Sequence, residues 1–235
     1  MKPFLLLQHN AVECGGYFLT FCRQHEHPLV SVRADLDLHL PQEARRYAGI
    51  IVMGGAQSAN DQSAHMRAEL ALLEDAVRHD IPVLGHCLGG QILARVLGAE
   101  VSANPKTEWE IGWFPLQTQN TVLSHEWFGA LDAPVLHWHR ETFSVPSGSH
   151  ALLASEACAQ QAFVYGPHLA MQFHIEANRT QVETWTEEHE AWPEYAALSS
   201  VQSPCVLLAD LTQRLAASEK MAEHVYTRWM HALVF

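Results

Sequence analysis

The stretch GHCLGGQ, residues 85–91, places a cysteine between glycines at the point where an extended run meets a helical one. The apolar run IPVL precedes it, and ILARVLG after it has the apolar spacing of a helix. A thiol at this junction lies at a helix N-terminus, where unpaired backbone N–H groups and the helix dipole favour a thiolate. The pattern G-x-C-x-G matches a nucleophile elbow with sulfur in place of oxygen, so Cys87 is the candidate nucleophile. A buried structural cysteine fits the same pattern.

The segments around this junction alternate between short apolar strands and helices. Strands are predicted at 2–8, 27–33, 49–55 and 81–86, and helices at 15–24, 65–79 and 92–98. Short runs that are apolar throughout are typical of strands buried on both faces of a parallel sheet. The sequence therefore predicts an α/β fold with a mostly parallel sheet flanked by helices.

The second half of the chain has a different pattern. Six strand-like runs separated by turn residues lie between residues 100 and 174, which predicts an antiparallel extension of the sheet with one strand returning to its centre. Beyond residue 178 the chain is mostly helical, with candidate helices at 181–192, 204–218 and 220–233. We expect a catalytic domain over residues 1–178 and a helical C-terminal extension over 179–235 that packs on the same domain.

Composition restricts the classes of protein to which the chain can belong. The chain has 26 acidic and 14 basic residues among its 235, a formal charge of −12 that repels phosphate backbones and disfavours nucleic acid as a partner. No stretch approaches the roughly 20 consecutive apolar residues that span a bilayer, and residues 1–8 lack a long signal-peptide core. We therefore expect a soluble, cytoplasmic protein without membrane contact.

The five cysteines are odd in number and widely spread, at positions 14, 22, 87, 158 and 205, with no C-x-x-C spacing. Neither a disulfide framework nor a structural zinc site is indicated, so we expect reduced thiols.

A cysteine nucleophile needs a base, and the base needs an acceptor that orients its ring. The run LAMQFHIEA supplies His174 and, two residues later, Glu176, and residues two apart on an extended segment point the same way. None of the other 15 histidines has a comparable arrangement in the sequence. His137 and His139 have alternate spacing that could suit a metal, but without a nearby carboxylate or cysteine cluster we interpret them as an ordinary strand edge, and no metal is required.

The stretch MGGAQSAND, residues 53–61, closes the third predicted strand with two glycines. Attack on a carbonyl develops negative charge on oxygen, and backbone N–H groups of a glycine turn can stabilise it. Gly54 and Gly55 are candidates for one donor, and the N–H of Leu88 for the other. A plain turn would have the same sequence, but ligands bind at the carboxyl ends of strands in open α/β sheets, which favours the functional interpretation.

Together, GHCLGGQ, MQFHIEA and MGGAQSAND resemble the class I glutamine amidotransferases, especially the GMP-synthase-like stand-alone subgroup, over about residues 49–177. The stretches NPKTEWEIGW and WHRETFSVPSG, residues 104–113 and 138–148, are similar to connecting motifs of that subgroup. The resemblance implies a flavodoxin-like fold.

By position, the resemblance implies that Cys87 is the nucleophile, His174 the base and Glu176 its orienting acid. It also implies that Gln91 holds the substrate glutamine, with Gly54 nearby, and that the backbone at Gly55 and Leu88 forms an oxyanion hole. No cofactor or metal enters this chemistry.

The chain departs from the family pattern at a few positions. Ala56 and Ile175 stand where prolines are common, and Gly90 stands where a larger residue usually precedes the glutamine. Glu141 replaces a familiar aspartate and receives no assigned role. None of these departures removes a catalytic group.

No ATP-pyrophosphatase signature or P-loop follows residue 177, so GMP synthesis by this chain alone is not expected. Either the chain hydrolyses or transfers at the γ-glutamyl amide of glutamine or a γ-glutamyl compound, a small-molecule substrate, or it passes ammonia to a separate synthetase chain. A redox or chaperone relative would use the thiol without the histidine and glutamate. The sequence leaves open the substrate, the nitrogen acceptor and the oligomeric state.

Overall fold

An eight-stranded sheet forms the centre of the computed structural model, which describes residues 1–12, 15–36, 40–188 and 192–231. The strands are β1 (Phe4–Gln8), β2 (Leu29–Arg33), β3 (Ile50–Val52), β4 (Val83–His86), β5 (Val101–Ala103), β6 (Glu110–Phe114), β7 (Gln117–Thr118), β8 (Val135–His139), β9 (Glu141–Phe143), β10 (His150–Ala154), β11 (Ala162–Tyr165) and β12 (His168–Met171). The helices are α1 (Gly16–Gln24), α2 (Ala64–Arg78), α3 (Leu88–Val96), α4 (Thr121–Phe128), α5 (Arg179–Glu188), α6 (Trp192–Tyr195), α7 (Pro204–Leu208) and α8 (Leu211–His231).

The strand order of the main sheet is β2-β1-β3-β4-β12-β11-β10-β7. The pairs from β2 to β12 are parallel, and those from β12 to β7 are antiparallel. The predicted fold class is confirmed, including the antiparallel extension and the return of one strand, β12, to the centre. The carboxyl ends of β3 and β4 and the segment after β12 therefore meet at one edge, where ligands bind in such sheets.

Three of the predicted strands, β5, β6 and β8, do not join this sheet, and β9 is a strand that the sequence did not predict. The strands β5 and β9 form one antiparallel ribbon, and β6 and β8 form another. The outer edges of the second ribbon are occupied by neighbouring chain segments: Ile111 of β6 bridges Val201, and Leu136 of β8 bridges His174. Because these contacts satisfy the backbone of the ribbon, it has no edge left to extend the main sheet.

Apolar side chains cover both faces of the sheet. On one face, α1 and α8 contribute Phe18, Tyr226 and Trp229, and on the other α2 and α3 contribute Leu72 and Ile92, all 2% exposed or less. Each such side chain contributes about 1.5–3 kcal/mol when it leaves water. The last long helix therefore forms part of the same core as the first strands, while the division of the chain at residue 178 stays a prediction.

The C-terminal helices differ from the predicted pattern at one junction. The chain breaks after α7, where Asp210 has a φ of 53°, and α8 then continues from Leu211 to His231 without interruption. Two helices were expected at 204–218 and 220–233, but Ser218 is buried inside α8. The helix expected at 181–192 corresponds to α5. Residues 189–191 and 232–233 of these predicted helices lie outside the described residues. None of the helices in the described ranges is long and apolar enough to cross a membrane.

Candidate active site

Cys87 lies between β4 and α3, as its glycine-flanked pattern predicted. Its backbone has φ 49° and ψ −108°, a region that costs a non-glycine residue free energy and is frequent at nucleophile turns. The glycines permit the close packing behind it: a Cβ on Gly89 would clash with the carbonyl oxygen of Val52, and one on Gly85 would lie 2.5 Å from the Gly89 carbonyl carbon. The Cys87 side chain is 7% exposed.

His174 and Glu176 lie next to Cys87, although the strand expected to carry them ends earlier. The strand β12 ends at Met171. Beyond it, His174 pairs with Leu136 of β8 in an isolated β-bridge. The two side chains nevertheless point the same way, and Nδ1 of His174 lies 2.6 Å from Oε1 of Glu176. Cys87 and His174 line the same cavity, and the thiol is among the groups that raise the pKa of the His174 ring.

The electrostatics of this group follow from burial and charge. Burial lowers the pKa of His174, but the Glu176 carboxylate and the hydrogen bond with Cys87 raise it well above its ordinary value. Burial raises the pKa of Glu176, but the imidazoles of His86 and His174 lower it far below its usual range. The arrangement therefore keeps Glu176 ionised and favours a proton on His174.

His86 is a second neighbour of Glu176 that the sequence analysis missed. Its Nδ1 lies 2.9 Å from Oε2 of Glu176, within ion-pair distance but off the axis of a good hydrogen bond. The hydroxyl of Tyr226, from α8, lies 3.4 Å from Nε2 of His86. His86 is fully buried. The sequence offers one signal for this residue, its position directly before Cys87. Neighbouring residues of a strand point to opposite faces of the sheet, so the side chain of His86 is expected to point away from that of Cys87.

The glycine loop after β3 is supported from behind by a buried ion pair. His9 donates from Nδ1 to the carbonyl oxygen of Gly54 at 3.0 Å, and its Nε2 lies 3.0 and 3.1 Å from the two carboxylate oxygens of Glu69. Gly55 faces the cavity, whereas Gly54 is buried behind it. A Cβ on Gly55 would lie 2.9 Å from the Leu88 side chain, so the two expected donor residues are neighbours.

Gln91 lies one turn beyond Cys87 and faces the cavity. Its amide donates to the carbonyl oxygen of Glu141 at 3.1 Å and to Oε1 of Gln172 at 3.2 Å. Gln172 in turn donates to the sulfur of Cys87 at 3.5 Å. The sequence assigned no role to Glu141. Its carboxylate accepts a hydrogen bond from the Ser58 hydroxyl, whose oxygen lies 3.1 and 2.9 Å from the two carboxylate oxygens. Gln91 therefore connects the candidate nucleophile, through Gln172, to the first residue of β9.

A cavity of about 520 Å³ opens above Cys87 and His174. Its remaining walls are the glycine loop at 55–58, the segment 138–141 and the side chain of Trp185. The carbonyl oxygen of Trp138 lies 3.8 Å from the Cys87 sulfur. The candidate nucleophile, the candidate base and Gly55, one of the candidate oxyanion donors, thus border one space of ligand size.

His137 and His139 are not an ordinary strand edge, because a carboxylate does lie near them. Glu110, on the paired strand β6, places Oε2 at 2.9 Å from Nε2 of His139 and 3.6 Å from Nδ1 of His137. Ser155 and Gln161 also donate to Glu110, at 2.6 and 2.8 Å. All these side chains are buried, and the ring nitrogens and carboxylate oxygen lie as close together as the ligands of a metal site do.

The pKa values of this second cluster are shifted as well. Burial raises the pKa of Glu110, but the two histidines lower it to about 2, and burial lowers the pKa of His137 to about 4. With Glu110 satisfied by three donors, the cluster is held together as a hydrogen-bonded buried group. The cluster is not visible in the sequence because Glu110 lies on β6, whereas both histidines lie on β8.

The remaining cysteines lie away from this cavity wherever they are described. Cys22 and Cys158 are buried, Cys205 is exposed, and all three are free thiols like Cys87. Burial raises the pKa of Cys22 to about 12. Cys14, the fifth expected thiol, lies outside the described residues.

Comparison with known proteins finds relatives whose names all refer to glutamine amidotransferases or to glutamine-hydrolysing subunits. The chain is 30% identical over 181 residues to the glutamine amidotransferase-like protein YfeJ of Salmonella typhimurium, a match that covers 72% of this chain and 75% of that protein. It is 28% identical to a GMP synthase [glutamine-hydrolyzing] subunit of Sulfolobus acidocaldarius, over 60% of this chain and 73% of that one.

Solved structures share the whole fold. A glutamine amidotransferase from Methylobacillus flagellatus superposes with a TM-score of 0.92 at 39% identity, covering 99% of this chain and 95% of the other. One from Thermotoga maritima has a TM-score of 0.83 at 26% identity, covering 97% of both chains. The profile of the family described as glutamine amidotransferase class-I matches residues 20–190. The chain belongs to the class-I glutamine amidotransferase family.

Proposed function

We propose that this protein hydrolyses, or transfers at, the γ-glutamyl amide of glutamine or a γ-glutamyl compound, with Cys87, His174 and Glu176 as a catalytic triad. The observation that supports the proposal is the contact series from the thiol through His174 to Glu176 at the floor of a cavity. Membership of the class-I family supports the same chemistry.

In the first step the Cys87 sulfur forms a bond to the side-chain amide carbon of the substrate. The N–H groups of Gly55 and Leu88 stabilise the oxyanion of the tetrahedral intermediate. His174 gives its proton to the departing nitrogen as the carbon–nitrogen bond breaks, which leaves a γ-glutamyl thioester and ammonia or an amine. Water, deprotonated by the same histidine, then attacks the thioester and releases glutamate.

The other residues of the site bind and orient. Glu176 stabilises the imidazolium of His174 and fixes its tautomer, as a carboxylate does in other triads. Gln91 lines the cavity and contacts the glutamyl part of the substrate there. Its side-chain amide donates a hydrogen bond to the backbone carbonyl of Glu141, which fixes its orientation. No cofactor takes part in this sequence of steps.

We favour a self-sufficient hydrolase or transferase over a dependent subunit. The second candidate is an ammonia-supplying subunit of a two-chain synthetase, and the similarity to proteins named as subunits of GMP synthase favours it. Similarity to YfeJ, whose name states no synthetase partner, does not favour that candidate. The two functions differ in whether the isolated chain turns over a γ-glutamyl substrate without a partner.

The test is an ammonia and glutamate assay of the purified chain with glutamine and a panel of γ-glutamyl amides. We expect steady turnover on at least one substrate, lost in both Cys87→Ser and His174→Ala. Cys205→Ser is the matched control, because this thiol is exposed and lies in α7 away from the cavity. Activity that survives in Cys87→Ser contradicts the triad. Turnover that begins only when a second chain from cell extract co-purifies favours the dependent subunit.

A further inference from the structure

Tryptophan side chains line the cavity on the side of the candidate base. The rings of Trp138 and Trp185 have centroids 5.6 Å apart, and Trp185 meets the His174 ring edge to face at 4.9 Å. Trp109 also borders the cavity, and the Arg140 guanidinium lies 5.9 Å from its ring centre. All three indoles are half-buried. Such a surface binds flat, apolar groups by offset or edge-to-face contact.

The chemistry of the site decides which part of the substrate meets this surface. The departing nitrogen must lie within hydrogen-bond reach of His174, because that residue protonates it. The carbonyl oxygen lies on a different side, at the N–H groups of Gly55 and Leu88. Atoms attached to the departing nitrogen therefore extend past His174 toward Trp185, which is in ring contact with it.

Glutamine itself does not use such a surface. Its departing nitrogen carries only hydrogens, so ammonia has nothing to place against an indole. The cavity of about 520 Å³ lies within the range of about 300–1,000 Å³ that is typical of sites for drug-sized ligands. Both the size and the aromatic lining fit a departing group larger than ammonia.

We propose that the substrate is a γ-glutamyl amide of an arylalkylamine, an alkyl amine that carries an aromatic ring, and that this ring packs against Trp138 and Trp185. This inference rests on the proposed function. The reaction is balanced as before: the carbon–nitrogen bond breaks, the proton of His174 goes to the departing arylalkylamine, and water supplies the oxygen that converts the thioester to glutamate.

The test compares kcat/KM for γ-glutamyl benzylamide, γ-glutamyl methylamide and glutamine. Benzylamine and methylamine are both alkyl amines, and their difference in leaving ability is the same in every variant, so a preference that is lost in the tryptophan variants reports on binding of the ring. We expect kcat/KM for the benzylamide to exceed that for the methylamide about tenfold, the size of a good aromatic contact.

Variants assign the preference to the tryptophans. Trp185→Leu and Trp138→Leu should each reduce the benzylamide-to-methylamide ratio toward one, and Trp185→Phe should retain most of it because an aromatic ring remains. Trp127→Phe is the control, since this tryptophan packs in the core beside Arg228 of α8 and should keep the wild-type ratio. The ratio within one variant is insensitive to the fraction of enzyme that folds.

The outcomes separate the inference from the function on which it rests. Hydrolysis of glutamine or the methylamide without a preference for the benzylamide overturns the aromatic substrate and leaves the proposed function standing. A preference that survives both leucine variants overturns the role of the tryptophans. Absence of turnover on all three compounds overturns both proposals.

Discussion

At the scale of single residues, Glu176 is the residue on which the site depends, because each of its oxygens faces a different imidazole. His174 lies at 2.6 Å from one oxygen and His86 at 2.9 Å from the other. A carboxylate held from both sides cannot rotate freely, and so it fixes the ring of His174. His86 thus acts as a positioning residue for the proposed base.

We predict that His86→Leu lowers kcat about 10- to 100-fold, because the buried Glu176 carboxylate loses a partner that lies within ion-pair distance. Because His86 lowers the pKa of Glu176, its removal raises that pKa, and activity in acid should be lost at a higher pH than in the wild type. The pH profile of kcat/KM measures this shift.

Two further variants test the same prediction. His86→Gln retains an N–H donor and should recover part of the rate. Tyr226→Phe removes only a hydroxyl at 3.4 Å from His86, a long contact, and should change the profile less. A profile for His86→Leu that superposes on the wild type would show that His86 only fills space.

At the scale of elements, the glycine loop after β3 depends on β1 and α2. His9, directly after β1, donates to the carbonyl oxygen of Gly54, and Glu69 of α2 holds the far side of its ring. In a planar trans peptide the carbonyl and the following N–H point in opposite directions. Fixing the Gly54 carbonyl therefore fixes the direction of the N–H of Gly55, a residue that lines the cavity.

We predict that His9→Phe lowers kcat and kcat/KM together by about 100-fold, the lower end of the loss seen when an oxyanion donor is removed. Glu69→Gln should have a smaller effect because it retains a hydrogen-bonding side chain. Steady-state kinetics with any active γ-glutamyl substrate measures both. Glu74→Gln changes an exposed carboxylate on the same helix and controls for altered charge. Wild-type kcat in His9→Phe would argue against support of the loop from behind.

The elements that the sequence predicted are those with local signals. The strands β1, β3 and β4 are continuous apolar runs, and Cys87 lies between flanking glycines at the end of one of them, so both followed from neighbours in the chain. The ribbon of β6 and β8 was missed because its edges are filled by residues near 174 and 201, far along the chain. The break at Asp210 was missed because nothing local marks a non-glycine residue with positive φ.

The residues of the candidate site likewise fall into those with a local sequence signal and those without one. The triad positions follow from short motifs, whereas His9, His86 and Gln172 enter only through packing that the sequence does not display. Glu110 is the plainest case: it lies 27 residues before His137 in the sequence, and the antiparallel pairing of β6 with β8 brings it within hydrogen-bond distance of His139.

At the scale of the whole molecule, α8 links the end of the chain to the site at its centre. Tyr226 and Trp229 pack on Phe18 of α1 and lie in the core beneath the sheet, while the Tyr226 hydroxyl reaches His86. Burial raises the pKa of Tyr226 well above its ordinary value, so the phenol stays protonated. The C-terminal helix therefore contributes both to the core and to the surroundings of Glu176.

Acid sensitivity of the fold should reflect buried histidines in the central sheet. His168 of β12 is fully buried, its Nδ1 accepts the N–H of Val83 of β4 at 3.2 Å, and burial lowers its pKa to about 4. Between its unfolded value of about 6.5 and this folded value, the unfolded chain binds a proton that the native protein does not. The free energy of unfolding must therefore fall with decreasing pH across this window, by at most about 1.4 kcal/mol per pH unit for this residue, and the contribution levels off below about pH 4.

We predict that His168→Gln, which keeps an acceptor for the Val83 N–H but cannot titrate, reduces this pH slope by up to one proton, about 1.4 kcal/mol per pH unit. Denaturant unfolding at pH 7, 6 and 5 measures the slope, and His150→Gln, at an exposed position of β10, controls for the substitution itself. The residual slope in the variant belongs to groups such as His137, whose pKa is also lowered to about 4 by burial. Equal slopes in His168→Gln and the wild type would show that the pairing of β12 with β4 does not limit stability in acid.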